Sequence, residues 1–74
     1  VTTRILLIED DAAVAESLKR ALERTGYDVA SRPTGAEGVD YAKATSPHLV
    51  IVDVELPDGS GFDFCRELRL AQIR

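Results

Sequence analysis

The stretch from His48 to Gly61, His-Leu-Val-Ile-Val-Asp-Val-Glu-Leu-Pro-Asp-Gly-Ser-Gly, constrains this chain more than any other. It begins as the apolar run Leu49 to Val52, meets one acid at Asp53, and enters a turn made of Pro57, Asp58, Gly59, Ser60 and Gly61. A continuous β-branched run without alternation predicts a strand buried on both faces, as in a parallel sheet. An acid at the carboxyl end of such a strand is costly to bury unless something pairs with it. The rest of the chain decides whether Asp53 has such a partner.

Arg4 to Ile8 (Arg-Ile-Leu-Leu-Ile) is a second buried-strand signal, and it runs directly into Glu9, Asp10 and Asp11. The period then changes. Val14, Leu18, Ala21 and Leu22 recur on one face of a helix, with Lys19, Arg20, Glu23 and Arg24 on the other side. Asp11 falls in or just before the first turn, where the helix dipole favours negative charge. Gly26 is the expected C′ residue, ending the helix near Thr25. Tyr27 to Ser31 reads as a shorter, more polar strand suited to a sheet edge. Thr34 and Glu37 have the spacing of a capping box. The helix they open carries Ala36, Val39 and Ala42 on its apolar face and stops ahead of Pro47. A third helix is expected from Gly61 to Leu70, its apolar face marked by Phe62, Cys65, Leu68 and Phe64.

Helices alternating with short apolar strands imply crossover connections and a parallel sheet. The two most apolar strands belong side by side at the centre, and the weaker strand flanks the first. The predicted fold class is α/β, the first β-α-β-α-β-α portion of a flavodoxin-like sheet with strand order 2-1-3. The 74 residues form one unit, 1–74, with no second domain.

Charge and composition exclude several function classes. A net charge of −4 argues against nucleic-acid binding by this segment. No apolar run approaches the roughly 20 residues that span a bilayer. The single cysteine, Cys65, has no internal disulfide partner, so a reducing, cytoplasmic compartment is expected. Val1-Thr2-Thr3-Arg4 leads straight into a strand, so no signal peptide is expected there.

Parallel strands share one carboxyl edge. Glu9, Asp10 and Asp11 stand at that edge after the first strand, and Asp53 stands there after the third. Adjacent strands lie about 4.8 Å apart, so these acids should converge. Open α/β sheets bind ligands at this edge where the strand order reverses, here between strands one and three. Converging carboxylates repel one another, and without a cation at least one pKa must rise. Mg2+, which takes oxygen ligands and commonly binds one or two carboxylates plus a phosphate, relieves that repulsion. Glu9, Asp10 and Asp53 can supply the carboxylates. The backbone carbonyl of Glu55 points into the same pocket if the loop turns there. An ion so placed neutralises charge while Asp53 attacks a phosphorus atom in line, giving an aspartyl-phosphate.

Leu6-Leu-Ile-Glu-Asp-Asp11, taken with Val50-Ile-Val-Asp-Val-Glu-Leu-Pro-Asp-Gly-Ser-Gly61, resembles the receiver domain of bacterial two-component response regulators. The resemblance implies that Asp53 accepts a phosphoryl group from a phosphohistidine on a sensor histidine kinase. It implies that Glu9 and Asp10 are the metal-binding pair, with the Glu55 carbonyl as a further ligand. The Leu-Pro-Asp-Gly-Ser-Gly loop is most similar to regulators that carry a winged-helix DNA-binding domain, so transcription is the implied output. The chain is similar to the N-terminal three-fifths of a receiver, to about its third helix. The later strands that end in Ser or Thr and in Lys have no counterpart, because Ser60 and Lys43 lie in other elements. The third strand then forms an exposed apolar edge, and such edges invite pairing with another chain. Self-association through this edge, or by exchange of elements, is expected.

Other residues fit plainer roles. Asp11 is expected to serve the helix start, His48 to lie on the surface, Cys65 to pack in the core, and Tyr27 and Tyr41 to be partly buried. Ala12, Val14 and Ala15 form a possible kinase-contact patch by the same resemblance. Two alternatives compete with the phospho-switch. One is an aspartate-nucleophile phosphatase built on Asp53-Val54-Glu55, which lacks the usual second aspartate. The other is a non-catalytic fragment that self-associates. The chain is not expected to be a turnover enzyme, at most catalysing transfer onto its own aspartate.

Overall fold

Residues 2–70 are described by a computed structural model. β1 (Arg4–Ile8) runs between β2 (Asp28–Arg32) and β3 (Leu49–Val52) in one parallel sheet of order β2-β1-β3. The predicted order 2-1-3 is the observed one. β1, apolar from Ile5 to Ile8, has a neighbouring strand on both sides, which no other strand has among the described residues. Its Leu6, Leu7 and Ile8 are fully buried, each contributing about 1.5–3 kcal/mol of burial. Alternate residues of β1 face two separate cores. Ile5 and Leu7 meet Val29 of β2 with Ala15 and Leu22 of α1 (Ala12–Arg24). Leu6 and Ile8 meet Val39 and Ala42 of α2 (Gly35–Thr45) and Leu68 of α3 (Gly61–Leu70).

The helix ends follow the sequence closely. Asp11 is the N-cap of α1, accepting from Ala13 N at 2.9 Å and Val14 N at 3.1 Å. At its other end Gly26 adopts φ +102°, a conformation that favours glycine. Gly26 N donates to Glu23 O and Tyr27 N to Leu22 O, at 3.0 and 3.3 Å, which is the Schellman arrangement. Thr34 caps α2 through its Oγ1, which accepts from Glu37 N at 3.2 Å. Ser46 closes α2 in a left-handed conformation before Pro47. The Arg4 guanidinium donates to the Thr45 and Ser46 carbonyls at 2.6 and 2.9 Å, tying that helix end to β1.

Six details differ from the sequence reading. β2 starts and ends one residue later than expected, because Tyr27 is used in closing α1; Tyr27 is exposed, whereas Tyr41 is half-buried with the Arg32 guanidinium 4.2 Å above its ring. β3 is not buried on both faces: Leu49 is 51% exposed and Ile51 is also open, while Val50 and Val52 pack on the second core. The reason is coverage, since α1 packs chiefly on β2 and β1 and leaves Leu49 and Ile51 open. For the same reason Val14 and Leu18 of the predicted α1 face are exposed, and Ala15 and Leu22 make the contact. On α3, Phe62 is 70% exposed. It is Leu68 that joins the second core, with Phe64 packed against it, while Cys65 is only half-buried. The expected turn after Asp53 contains a small antiparallel hairpin, β4 (Glu55–Leu56) and β5 (Gly59–Ser60), with Leu56 buried. Among the described residues no helix is long and apolar enough to cross a membrane.

Candidate functional site

Main-chain bonds at the carboxyl edge bring the predicted acids together. Asp53 N donates to Ile8 O at 3.0 Å, so β3 ends level with the end of β1. Glu9 N donates to Arg32 O, also at 3.0 Å, which ties the residue after β1 to β2. Glu9, Asp10 and Asp53 each offer a carboxylate oxygen, and these oxygens lie within 4.8 Å of one another. Glu9 and Asp53 are half-buried and Asp10 is exposed. Asp11 turns away to cap α1, as its position predicts.

The electrostatics are those of crowded acids. The Glu9 carboxyl is pushed up from 4.5 to about 7. The largest cause is its side-chain contact with Asp53, followed by burial and by the negative charges of Asp53, Asp10 and Asp11. Glu9 Oε2 is buried and has no hydrogen-bond partner among the described residues. A buried carboxylate oxygen without a donor is costly, and a shared proton or a cation removes the cost. The donor set is all oxygen, which suits a hard divalent ion.

Glu55, whose backbone carbonyl the sequence reading assigned to the same pocket, stands at the start of β4, directly beyond the site. Its side chain is exposed and does not join the three-acid cluster. Ser60 and Lys43 are engaged elsewhere: Ser60 Oγ accepts from Phe62 N at 3.2 Å, and Lys43 pairs with Glu67 at 3.6 Å. His48 is exposed as expected, though its Nδ1 accepts from Arg4 N at 2.9 Å.

Two residues of the Pro57–Gly61 turn make contacts that the sequence did not foretell. Gly61 N donates to Val54 O at 2.7 Å, and a Cβ at Gly61 would collide with the Asp53 carbonyl. Only glycine lets the loop return this closely to Asp53. Asp58, at the hairpin tip, accepts from Gly35 N at 2.8 Å and Ala36 N at 2.9 Å. These bonds hold its carboxyl below the usual range. Nothing near Asp58 in the sequence marks this role, since Pro-Asp-Gly has the composition of any tight turn and its partners lie in another element.

Residues 5–73 match the response regulator receiver domain. The chain is 44% identical over 70 residues to the cell cycle transcriptional regulator CtrA of Caulobacter vibrioides, covering 95% of this chain and 30% of that protein. It thus spans under a third of that relative's length. Among solved structures it is similar to the response regulator TrrA of Thermotoga maritima in complex with Mg2+–BeF, with TM-score 0.93 and 31% identity over 96% of this chain and 62% of that one. It is also similar to the non-phosphorylated HemR receiver domain of Leptospira biflexa, with TM-score 0.84 and 36% identity over 99% of this chain and 57% of that one. With its three acids gathered at the β1–β3 edge of a 2-1-3 parallel sheet, the chain belongs to the response regulator receiver domain family.

Proposed function

We propose that Asp53 accepts a phosphoryl group from the phosphohistidine of a sensor histidine kinase in a Mg2+-dependent step. The chain acts as the N-terminal part of one receiver, within a longer cytoplasmic regulator whose output is transcription. The observation that carries this reading is the convergence of Glu9, Asp10 and Asp53 within 4.8 Å. The unpartnered Glu9 Oε2 and the all-oxygen donor set fit the ion. Glu9, Asp10 and Asp53 would hold it through carboxylates, and Glu55 through its backbone carbonyl. When bound, the ion neutralises charge on the acids and on the phosphoryl oxygens.

The step itself belongs to Asp53. One carboxylate oxygen forms a bond to phosphorus as the phosphorus–nitrogen bond of the phosphoimidazole breaks. The electron pair stays with the imidazole nitrogen, which takes a proton from solvent. The bond from Asp53 N to Ile8 O fixes the nucleophile's backbone at 3.0 Å from β1. Beside the acids a groove lined by Ala12, Ala15, Lys19 and Arg32 offers a docking place for the kinase's phosphotransfer domain; Val14 lies exposed nearby. The Mg2+–BeF complex of the Thermotoga relative supports the cofactor, and the Caulobacter relative's role as a transcriptional regulator supports the output. The chain is thus a signalling module and not a turnover enzyme.

Incubation with acetyl phosphate and Mg2+, followed by intact mass, tests the reading. A gain of one phosphoryl group that is absent in Asp53→Asn is expected, and no gain in the unmodified chain overturns it.

A second reading is favoured by the open side of β3, where Leu49, Ile51 and Phe62 are exposed. In it, copies of the chain associate through this edge or exchange elements, without chemistry. Sedimentation showing a monodisperse monomer counts against it.

A further inference from the structure

The β4–β5 hairpin starts at Glu55, two residues after Asp53, and returns the chain to Gly61. It has only two residue pairs, Glu55 with Ser60 and Leu56 with Gly59. A hairpin this small is unstable unless other elements hold it. Leu56 is buried in the core that contains Val39, Ala42 and Leu68. Its tip is hydrogen-bonded to α2 through Asp58, whose Oδ1 accepts from Gly35 N at 2.8 Å and Oδ2 from Ala36 N at 2.9 Å.

The two sides of this contact need each other. The first N–H groups of a helix have no partner within it, and a carboxylate there also meets the favourable end of the helix dipole. The local cap, Thr34, serves Glu37 N and leaves Gly35 N and Ala36 N to Asp58. Bonds to an ionised acceptor are stronger than neutral ones. Moving the hairpin tip breaks both bonds at once.

We propose that Asp58 is a positioning residue for the phospho-acceptor site: its two-pronged bond to the start of α2 holds the β4–β5 hairpin, and so the Glu55 carbonyl, where metal binding requires it. The proposal rests on the metal reading of Glu9, Asp10, Asp53 and Glu55 given above. It makes α2 part of the support of a site it does not touch. By linkage the coupling is reciprocal: an ion held by the loop tightens the bond between Asp58 and α2.

The test uses Mn2+ binding followed by electron paramagnetic resonance, with Asp58→Ala, Asp58→Asn and Asp53→Asn beside the unmodified chain. Asp58→Ala should bind one Mn2+ about tenfold more weakly, the low end for groups that orient metal ligands. Asp58→Asn, which keeps one acceptor oxygen, should recover part of the loss. In the unmodified chain, saturating Mg2+ should slow hydrogen exchange at the Gly35 and Ala36 amides. A folded Asp58→Ala that binds Mn2+ as tightly as the unmodified chain overturns the proposal. So does exchange at Gly35 and Ala36 that ignores Mg2+, a measurement that holds even where Asp58→Ala does not fold. Asp53→Asn separates the two readings. If it binds Mn2+ normally, the metal reading itself fails; if it loses Mn2+ while Asp58→Ala does not, only the positioning role fails.

Discussion

Asp53 and Asp58 bracket one loop, yet their surroundings differ in sign. Asp53 faces other acids, and the Glu9 carboxyl beside it is pushed up to about 7. Asp58 faces two backbone N–H groups, and its carboxyl is pulled down. The first arrangement destabilises the folded chain. The second stabilises it. Strand-end acids and loop acids are the same chemistry, and it is what stands opposite that separates a site from a cap.

The comparison can be broken at Gly61, where the loop closes back on Asp53. Gly61→Val drives a side chain into the Asp53 carbonyl and should cost roughly 3 kcal/mol in urea unfolding. A variant as stable as the unmodified chain would show that the close return is not required. Metal sharpens the acidic side. Mg2+ at 100 times its Kd should stabilise the chain by about 2.7 kcal/mol, and chelation should remove the gain. An unchanged urea midpoint argues that the acids do not hold the ion.

A smaller effect comes from relieving the crowding directly. Folded Glu9 keeps its proton to about 7 while the unfolded chain releases it near 4.5. Between those values the folded state binds more protons, so metal-free stability falls as pH rises through that window. Asp53→Asn removes the largest cause and should stabilise the metal-free chain by about 1 kcal/mol at pH 8 after solvent screening, with little gain at pH 4. Urea unfolding at the two pH values decides it, and a loss of stability at pH 8 would contradict the account. The smallest effect belongs to Asp58. Its lowered pKa contributes stability above the unfolded value of 3.8, lost as pH falls through the folded one. Asp58→Ala should therefore lower the urea midpoint at pH 6 and make progressively less difference as pH falls below 3.8. An equal deficit at both would mean that the carboxylate charge is not what holds α2.

The strands, the helices and the three clustered acids were legible because their signals are local. Apolar runs ending in acids mark Ile8–Glu9 and Val52–Asp53, and Asp11, Gly26 and Thr34 announce helix ends within a few residues of where they act. An exposed edge at β3 was expected, but which apolar side chains stay open, Leu49, Ile51, Leu18 and Phe62 among them, was not legible, because an apolar residue signals a preference for burial and not the presence of a covering element. Gly61 and Asp58 were hidden for a related reason. Each reads as turn composition, and each acts on a backbone that only folding brings near.

The sequence by itself determined the parallel α/β order, the central place of β1 and the identity of the acids at its carboxyl edge, since periodicity and strand-end position depend on neighbours along the chain. Tertiary structure alone decided that β3 keeps an open face, that Glu9 carries the raised pKa, and that Asp58 caps α2. Those outcomes depend on which groups meet across the fold, and a pairing between Asp58 and Gly35 leaves no trace in the residues beside either one.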